Sequence, residues 1–264
     1  MNIRPMEFEV ENLKLRGSLY EPDTGIIEGR RYPTAILFHG FGGNRVDVSG
    51  FIVQMAKALT AEGFIVITYD RAGHGESDGE FFDTSVTRDV KDASCVVKQV
   101  MELSYVDSSN LHMGGLSLGS VIASMTAALC DPQPRSMVMC STAAVFVDEI
   151  ASGKIQGRSI NSLSTDGYFD FAGMKMGPAM VTDALKLDVY AEAAKYRGKV
   201  LLMHGTKDFV PLSYAQRYKE MWAENATLLV REGADHGWAS VPDRQFVTQH
   251  AADFMAENAG LKKE

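Results

Sequence analysis

The sequence predicts an α/β fold in which a mostly parallel, doubly wound sheet carries an inserted cap. Three observations support this prediction: apolar runs recur along the chain, amphipathic segments separate them, and one long interval lacks both patterns. Strands buried on both faces of a parallel sheet read as near-continuous apolar runs. Strands that alternate with helices indicate βαβ units around such a sheet.

The first 22 residues differ from the rest, because polar and apolar residues alternate through residues 7–22. This alternation predicts an antiparallel pair of strands with one face in water. Buried strands are predicted further along the chain at 34–38, 64–70, 110–115, 136–140, 199–205 and 227–233. Amphipathic helices are predicted at 49–62 and 86–103, and a helix of small apolar residues at 118–130.

The interval from Ala143 to about Arg197 shows no strong strand pattern and is rich in Gly, Ser, Met and aromatic residues. It is too long for a simple connection inside a compact domain. We therefore predict a core of residues 1–142 and 198–264, with residues 143–197 inserted as a cap. Such a cap would cover the carboxyl ends of the strands, where open α/β sheets bind ligands.

The composition narrows the range of partners. The 264 residues carry a formal net charge of −8, whereas nucleic acids and anionic membranes bind basic surfaces. The first ten residues contain no apolar signal-peptide core, and no apolar run is long enough to span a membrane. We therefore expect a cytoplasmic protein that acts on a small molecule and binds neither nucleic acid nor membrane, and its oligomeric state stays open.

Residues 115–119 form a G-x-S-x-G motif centred on Ser117. The motif follows an apolar strand and opens a helix of small residues, which is the strand–turn–helix setting of a serine nucleophile. The turn would raise the Ser117 hydroxyl above the sheet and place the amide of Leu118 at a helix N-terminus, where it can stabilise an oxyanion. The alternative is a serine that only caps the helix.

A serine nucleophile needs a general base, and the sequence has six histidines. His236 lies between the last predicted strand and the last helix, so it should reach the edge of the sheet where Ser117 lies. His74, also in a loop, is the competing candidate. Of the other four, His112 is expected inside a strand and His250 on a helix. His39 and His204 are expected at strand ends.

The acid that orients the base should be a carboxylate between the serine and the histidine in the chain. Asp208 follows the strand predicted at 199–205, and Asp148 is the alternative. A second oxyanion donor should come from the glycine-rich loop at residues 39–43, where the amide of Phe41 is the candidate.

These motifs resemble those of a known superfamily. The segments HGFGG, YDRAGHGES, GLSLGS, HGTKDFVP and GADHGW occur in the order found in α/β hydrolases, and the resemblance covers residues 6 to 257. The ending GADHGW and the inserted segment are similar to those of small bacterial feruloyl or cinnamoyl esterases. The similar features in the insert are Ala143-Ala144, Gln156-Gly157, Tyr168-Phe169 and the run LDVYAEAAKYRGKVLLMHG.

The resemblance implies an α/β-hydrolase fold and cap residues that contact an aromatic acyl group. Asp148, Glu149 and Gln156 would lie near its phenolic hydroxyl, and Tyr168 or Phe169 beside its ring.

We therefore expect a serine carboxylic-ester hydrolase that forms an acyl-enzyme on feruloyl or cinnamoyl esters. No metal or organic cofactor is expected, because HExxH, CxxC and P-loop motifs are missing from the sequence. The alternatives are a short-acyl or monoacylglycerol esterase, a peptidase or acyltransferase, and a non-catalytic receptor that senses a ligand in the same pocket.

Overall fold

One eight-stranded sheet organises the protein, as seen in a computed structural model that describes residues 1–261. Two small hairpins supplement it. In chain order the strands are β1 (Asn2–Val10), β2 (Leu13–Glu21), β3 (Tyr32–Phe38), β4 (Ile65–Tyr69), β5 (Val106–Leu116), β6 (Ser136–Cys140), β7 (Lys154–Ile155), β8 (Arg158–Ser159), β9 (Phe169–Phe171), β10 (Met174–Met176), β11 (Lys199–Gly205) and β12 (Ala226–Arg231).

Helices cover both faces of the sheet. They are α1 (Phe51–Ala61), α2 (Val86–Met101), α3 (Leu118–Leu129), α4 (Val145–Ala151), α5 (Ser162–Thr165), α6 (Pro178–Ala184), α7 (Val189–Ala193), α8 (Leu212–Trp222) and α9 (Val241–Asn258). In the described part of the chain, no helix has the length and apolar character that crossing a membrane requires.

The strand order is β1-β2-β4-β3-β5-β6-β11-β12. β2 runs antiparallel to β1 and β4, and the other pairs are parallel. The antiparallel start and the parallel strands predicted from the sequence are confirmed. The strand predicted as buried at 227–233 is β12, which ends the sheet, and of its residues only Ala226 is buried. The strand predicted at 110–115 is the second part of β5. β5 itself begins at Val106, because Val106 pairs with Tyr32 of β3.

Two apolar layers hold the helices against the sheet. In β4, Ile65 and Ile67 face the layer that contains α2 and α3, whereas Val66 faces the layer that contains α1 and α9. Side chains alternate between the faces of a strand, so a strand covered on both sides must be apolar throughout. This explains why β3 to β6 appear in the sequence as continuous apolar runs.

The direction of winding reverses at β3. β4 lies on one side of β3, and the chain then crosses over to place β5 on the other side. The loops after β3 and β5 therefore diverge at the carboxyl edge of the sheet, which is where open α/β sheets bind ligands. These loops contain His39-Gly40-Phe41 and Ser117.

A sharp turn joins β5 to α3. Ser117 has φ 58° and ψ −125°, and its amide donates to the carbonyl of Cys140 on the neighbouring strand (2.9 Å). A Cβ at Gly115 would lie 2.5 Å from the backbone of Gly119, and a Cβ at Gly119 would collide with the carbonyl oxygens of Phe38 and His39. The turn therefore requires glycine at both flanking positions.

The segment between β6 and β11 contains four short helices and the two hairpins β7–β8 and β9–β10. The sequence predicts no strong strand there, and these strands are only two or three residues long. Asp183 of α6 accepts hydrogen bonds from the amide and hydroxyl of Thr87 at the start of α2 (2.8 and 2.6 Å). The segment thus packs on the core, and its description as a separate cap of residues 143–197 stays a prediction.

The crowding at the turn gives a prediction. Gly119→Ala should lower the free energy of unfolding by about 3 kcal/mol, because the added methyl group meets backbone that cannot move aside cheaply. Gly237→Ala is the control, since its Cβ would meet only Val48, at 3.4 Å, and should leave stability nearly unchanged. Urea unfolding measures both variants, and equal stabilities would contradict the steric explanation.

Candidate active site

Ser117 lines a largely apolar cavity. The cavity is bounded by the loop after β3, the first residue of α3 and the segment between β6 and β11. Most of its wall is formed by Phe41, Phe146, Ile150, Ile155, Met180 and Phe209. An apolar cleft with few polar groups is the usual form of a small-molecule site.

His236 and Asp208 form a hydrogen-bonded pair at the carboxyl edge of the same sheet. The Nδ1 atom of His236, which follows β12, lies 2.7 Å from Oδ1 of Asp208, which follows β11. The Asp208 side chain is fully buried, and that of His236 is 19% exposed. The ring of Phe209 covers His236 with centroids 4.2 Å apart, and Phe209 also lines the Ser117 cavity.

Two opposing effects set the charge of Asp208. Burial acts to raise the pKa of the carboxyl, but the hydrogen bond and charge of His236, together with the amide of Val210 (2.8 Å), outweigh burial and lower the pKa. The carboxylate therefore stays ionised at neutral pH. An ionised acceptor fixes the proton of His236 on Nδ1 and leaves Nε2 free to accept a proton.

The competing base, His74, lies in a different environment. Its side chain is buried, its Nδ1 atom is 3.0 Å from the carbonyl of Ala72, and its ring packs on Phe81. Burial lowers the pKa of His74 to about 3, with Arg71 adding to the effect. In residues 1–261, His236 is the histidine at hydrogen-bonding distance from a carboxylate.

The remaining histidines have structural partners. His39 and His204 lie at strand ends and bond to loop carbonyls, with Nδ1 of His39 2.8 Å from Gly40 and Nε2 of His204 2.9 Å from Val210. His112 bonds to Ser136 inside the sheet (2.7 Å). His250 lies on α9 and bonds to the carbonyl of Phe246 (2.8 Å).

The two predicted oxyanion donors lie beside Ser117. Leu118 is the first residue of α3, where amides have no partner within the helix. Phe41 follows Gly40, and a Cβ on Gly40 would stand 3.5 Å from the Cβ of Ser117. Both Phe41 and Leu118 line the cavity. Their role as oxyanion donors stays a prediction.

Of the five predicted substrate-binding residues, two line the cavity and three do not. Glu149 and Gln156 line the cavity, and the Glu149 carboxylate accepts the backbone amides of Gln156 (2.7 Å) and Gly157 (3.0 Å). Asp148 faces away, because it lies one residue before Glu149 on α4, and it accepts the hydroxyl of Tyr214 (2.6 Å).

Neither predicted aromatic neighbour of the substrate lines the cavity. Tyr168 lies beside Lys175, with the ammonium 4.9 Å from its ring, in a groove with Phe82. Phe169 is buried in the core because it starts β9 facing inward, with Arg158 over its ring. The aromatic walls are provided instead by Phe41, Phe146 and Phe209.

These aromatic wall residues were not predicted from the sequence, although the helical spacing that places one of them on the cavity is visible in the sequence. Val145, Phe146, Glu149 and Ile150 recur at a helical spacing, and this spacing predicts one face of a helix. That face of α4 is the one that lines the cavity. Met180 carries no comparable signal, because its position depends on how α6 packs against α4.

A family model described as "Serine aminopeptidase, S33" matches residues 32–166. The chain belongs to this family of α/β hydrolases. The match includes the β3 loop and the Ser117 turn but ends before Asp208 and His236. The resemblance predicted from the motifs is thereby confirmed, and the protein is a hydrolase by family.

Solved structures with the same fold extend the likeness over nearly the whole chain. Est1E from Butyrivibrio proteoclasticus with ferulic acid bound is 24% identical, with a TM-score of 0.86 over 97% of this chain and 99% of that chain. The α/β hydrolase GrgF from Penicillium sp. sh18 is 16% identical, with a TM-score of 0.77 over 98% of this chain and 100% of that chain. The predicted α/β-hydrolase fold is confirmed.

The curated relatives match a shorter stretch. The uncharacterized protein YcjY of Escherichia coli K12 is 34% identical over 95 residues, which is 35% of this chain and 30% of that protein. The chain thus matches less than a third of the length of this relative. Among the residues that the structure describes, no three His, Cys, Asp or Glu side chains are grouped to hold a metal ion.

The His236–Asp208 pair gives a prediction. Asp208→Asn should lower kcat for nitrophenyl acetate by up to about 10⁴-fold with little change in KM, because the amide favours the wrong tautomer of His236. Asp148→Asn is the matched control, since Asp148 was the alternative acid but contacts Tyr214. Steady-state kinetics measure both. A larger loss in Asp148→Asn would reverse the assignment.

Proposed function

We propose that this hydrolase cleaves carboxylic esters through an acyl-enzyme on Ser117, and that its preferred acyl groups are aryl-acrylates such as feruloyl and cinnamoyl. The observation that supports this proposal best is the apolar, aromatic-walled cavity that Ser117 lines. An ester carbonyl placed at Ser117 would direct its acyl group between Phe146, Ile155 and Met180.

The proposed acylation step uses Ser117, His236 and Asp208. His236 removes the proton from Ser117 as the hydroxyl attacks the ester carbonyl, and Asp208 stabilises the imidazolium that forms. The amides of Phe41 and Leu118 bind the oxyanion of the tetrahedral intermediate. His236 then gives the proton to the leaving alcohol, and the acyl-enzyme remains.

Deacylation repeats these steps with water as the nucleophile. His236 takes a proton from water as it attacks the acyl carbon, and returns that proton to Ser117 as the acid leaves. The cycle requires no group beyond these residues and water.

The polar residues of the cavity support the proposal of an acyl group that carries a hydroxyl at the end far from the ester. Glu149 and Gln156 are the polar cavity residues that belong to the inserted segment. The amides of Gln156 and Gly157 hold the Glu149 carboxylate in place, and each of its oxygens keeps a lone pair that can accept a hydroxyl. The likeness to Est1E, whose structure contains ferulic acid, adds weight to this choice.

A substrate panel tests the acyl preference. We expect kcat/KM to be at least tenfold higher for methyl ferulate than for methyl butyrate, because the aromatic ring buries more apolar surface in the cavity. A monoacylglycerol and an amino-acid anilide complete the panel and report on the lipase and aminopeptidase alternatives. A tenfold higher kcat/KM for methyl butyrate than for methyl ferulate would contradict the aryl-acrylate proposal. Tight binding with turnover below about one per minute would favour a receptor.

The aromatic wall gives a second test. Phe146→Ala should lower kcat/KM for methyl ferulate by roughly tenfold, through lost ring contact, and leave kcat/KM for nitrophenyl acetate within about threefold. Phe82→Ala is the matched control, because Phe82 is a partly exposed phenylalanine in the separate groove beside Tyr168. Equal losses on both esters in Phe146→Ala would place the acyl group elsewhere.

A further inference from the structure

The loop that carries the proposed oxyanion donor is held by a dense set of hydrogen bonds. The carbonyl of Gly40 receives Nη2 of Arg71 (2.9 Å), Nδ1 of His39 (2.8 Å) and the amide of Gly43 (3.2 Å). The amide of Gly40 donates to Oδ2 of Asp47 (2.9 Å). Few backbone carbonyls accept three donors, so this peptide is unusually constrained.

The constraint acts on Phe41 through the planar peptide bond. The carbonyl of Gly40 and the amide of Phe41 belong to the same peptide unit, and in a trans peptide they point in opposite directions. Fixing the carbonyl towards Arg71 and His39 therefore fixes the Phe41 N–H towards the opposite side. Because Gly40 lies against Ser117, the orientation of this peptide determines whether the N–H can reach an oxyanion there.

Arg71 is the centre of the arrangement. Its side chain is 2% exposed, and its Nη1 donates to the carbonyl of His39 (2.8 Å) while Nη2 binds that of Gly40. Its backbone amide donates to Nε2 of His39 (3.1 Å). Nε of Arg71 lies 3.2 Å from Oδ2 of the buried Asp89 on α2. The Asp89 carboxyl thus lies beside the guanidinium that spans two consecutive carbonyls. Burial raises the pKa of Asp89 to about 7, and the charge of Arg71 opposes this rise.

His39 is neutral in this environment. Burial, with the charge of Arg71 and the proximity of His74, holds the pKa of His39 well below its ordinary value. One neutral tautomer satisfies both contacts, because Nε2 accepts the Arg71 amide and Nδ1–H donates to Gly40. The cation at the Gly40 carbonyl is therefore Arg71 alone.

We propose that Arg71 is a positioning residue for the oxyanion site, which it aligns and polarises through the Gly40–Phe41 peptide. This inference rests on the proposed role of the Phe41 amide in ester hydrolysis. A cation bound at a carbonyl draws electron density from the peptide, and hydrogen bonds in a chain polarise one another. The Phe41 N–H then becomes a stronger donor without any contact between Arg71 and the substrate.

A positioning role and a purely structural role give different kinetic results. An oxyanion donor acts on the transition state, and removal of one typically lowers kcat by about 10²–10³. Arg71→Met should therefore lower kcat for nitrophenyl acetate about 100-fold and leave KM within about threefold. Phenylboronic acid forms a tetrahedral adduct with serine, so its Ki should rise by a similar factor.

A double variant separates stability from catalysis. Arg71→Met removes the cation that opposes the raised pKa of the buried Asp89, so this carboxyl must take up a proton or keep an unpaired charge, and either costs stability. Adding Asp89→Asn removes the ionisable group and should recover much of the melting temperature while kcat stays about 100-fold low. Arg135→Met is the matched control, because Arg135 also donates to two backbone carbonyls, those of Ser109 and Asn258, at the opposite end of β5.

The proposal is overturned if kcat recovers with stability in the double variant, or if Arg71→Met keeps kcat within threefold of the wild type. Arg71→Lys retains the charge beside Asp89 but cannot span two carbonyls, so its kcat should fall roughly tenfold, and an unchanged kcat counts against the proposal.

The rate at which a fluorophosphonate labels Ser117 separates the two proposals. If the wild type is labelled but turns over no ester, the proposed function fails and labelling rates still test Arg71. Equal labelling rates in the wild type and Arg71→Met, with ester turnover intact in the wild type, reject only the role of Arg71.

Discussion

The close approach of α3 to the end of β3 is the constraint on which the site depends. Gly119, in the first turn of α3, lies directly against the carbonyl oxygens of Phe38 and His39. This contact sets the distance between the Ser117 turn and the loop that carries Phe41. Because backbone meets backbone there, no side-chain adjustment can change the spacing, and the two proposed oxyanion amides are fixed by the packing of the core.

Each part of the site is then supported by buried or half-buried polar groups. Arg71 and Asp47 hold the loop after β3, whereas Arg244 donates to the carbonyls of Gly237 (3.0 Å) and Trp238 (3.1 Å) in the loop that carries His236. Loops at a sheet edge have few neighbours of their own. Buried guanidinium groups are suited to this task, since their fixed fork can satisfy several carbonyls at once.

The sequence predicted the fold well because its signals are local. Continuous apolar runs reveal strands covered on both faces, and the glycines around Ser117 reveal a turn that excludes Cβ atoms. The pairing of His236 with Asp208 followed from chain order. The walls of the cavity were harder to predict, because the half-buried position of Tyr168 and the burial of Phe169 depend on how the β9–β10 hairpin packs, and no local pattern encodes that packing.

The hydrogen bonds that organise the site and the walls that surround it come largely from different stretches of the chain. The loops after β3, β5, β11 and β12 lie outside residues 141–198, which supply Phe146, Ile155 and Met180. The ring of Phe171 on Phe41, with centroids 4.7 Å apart, is a contact that joins the two stretches. Substitutions confined to residues 141–198 would therefore change these walls and leave the hydrogen bonds of the site in place, provided that an aromatic residue still meets Phe41.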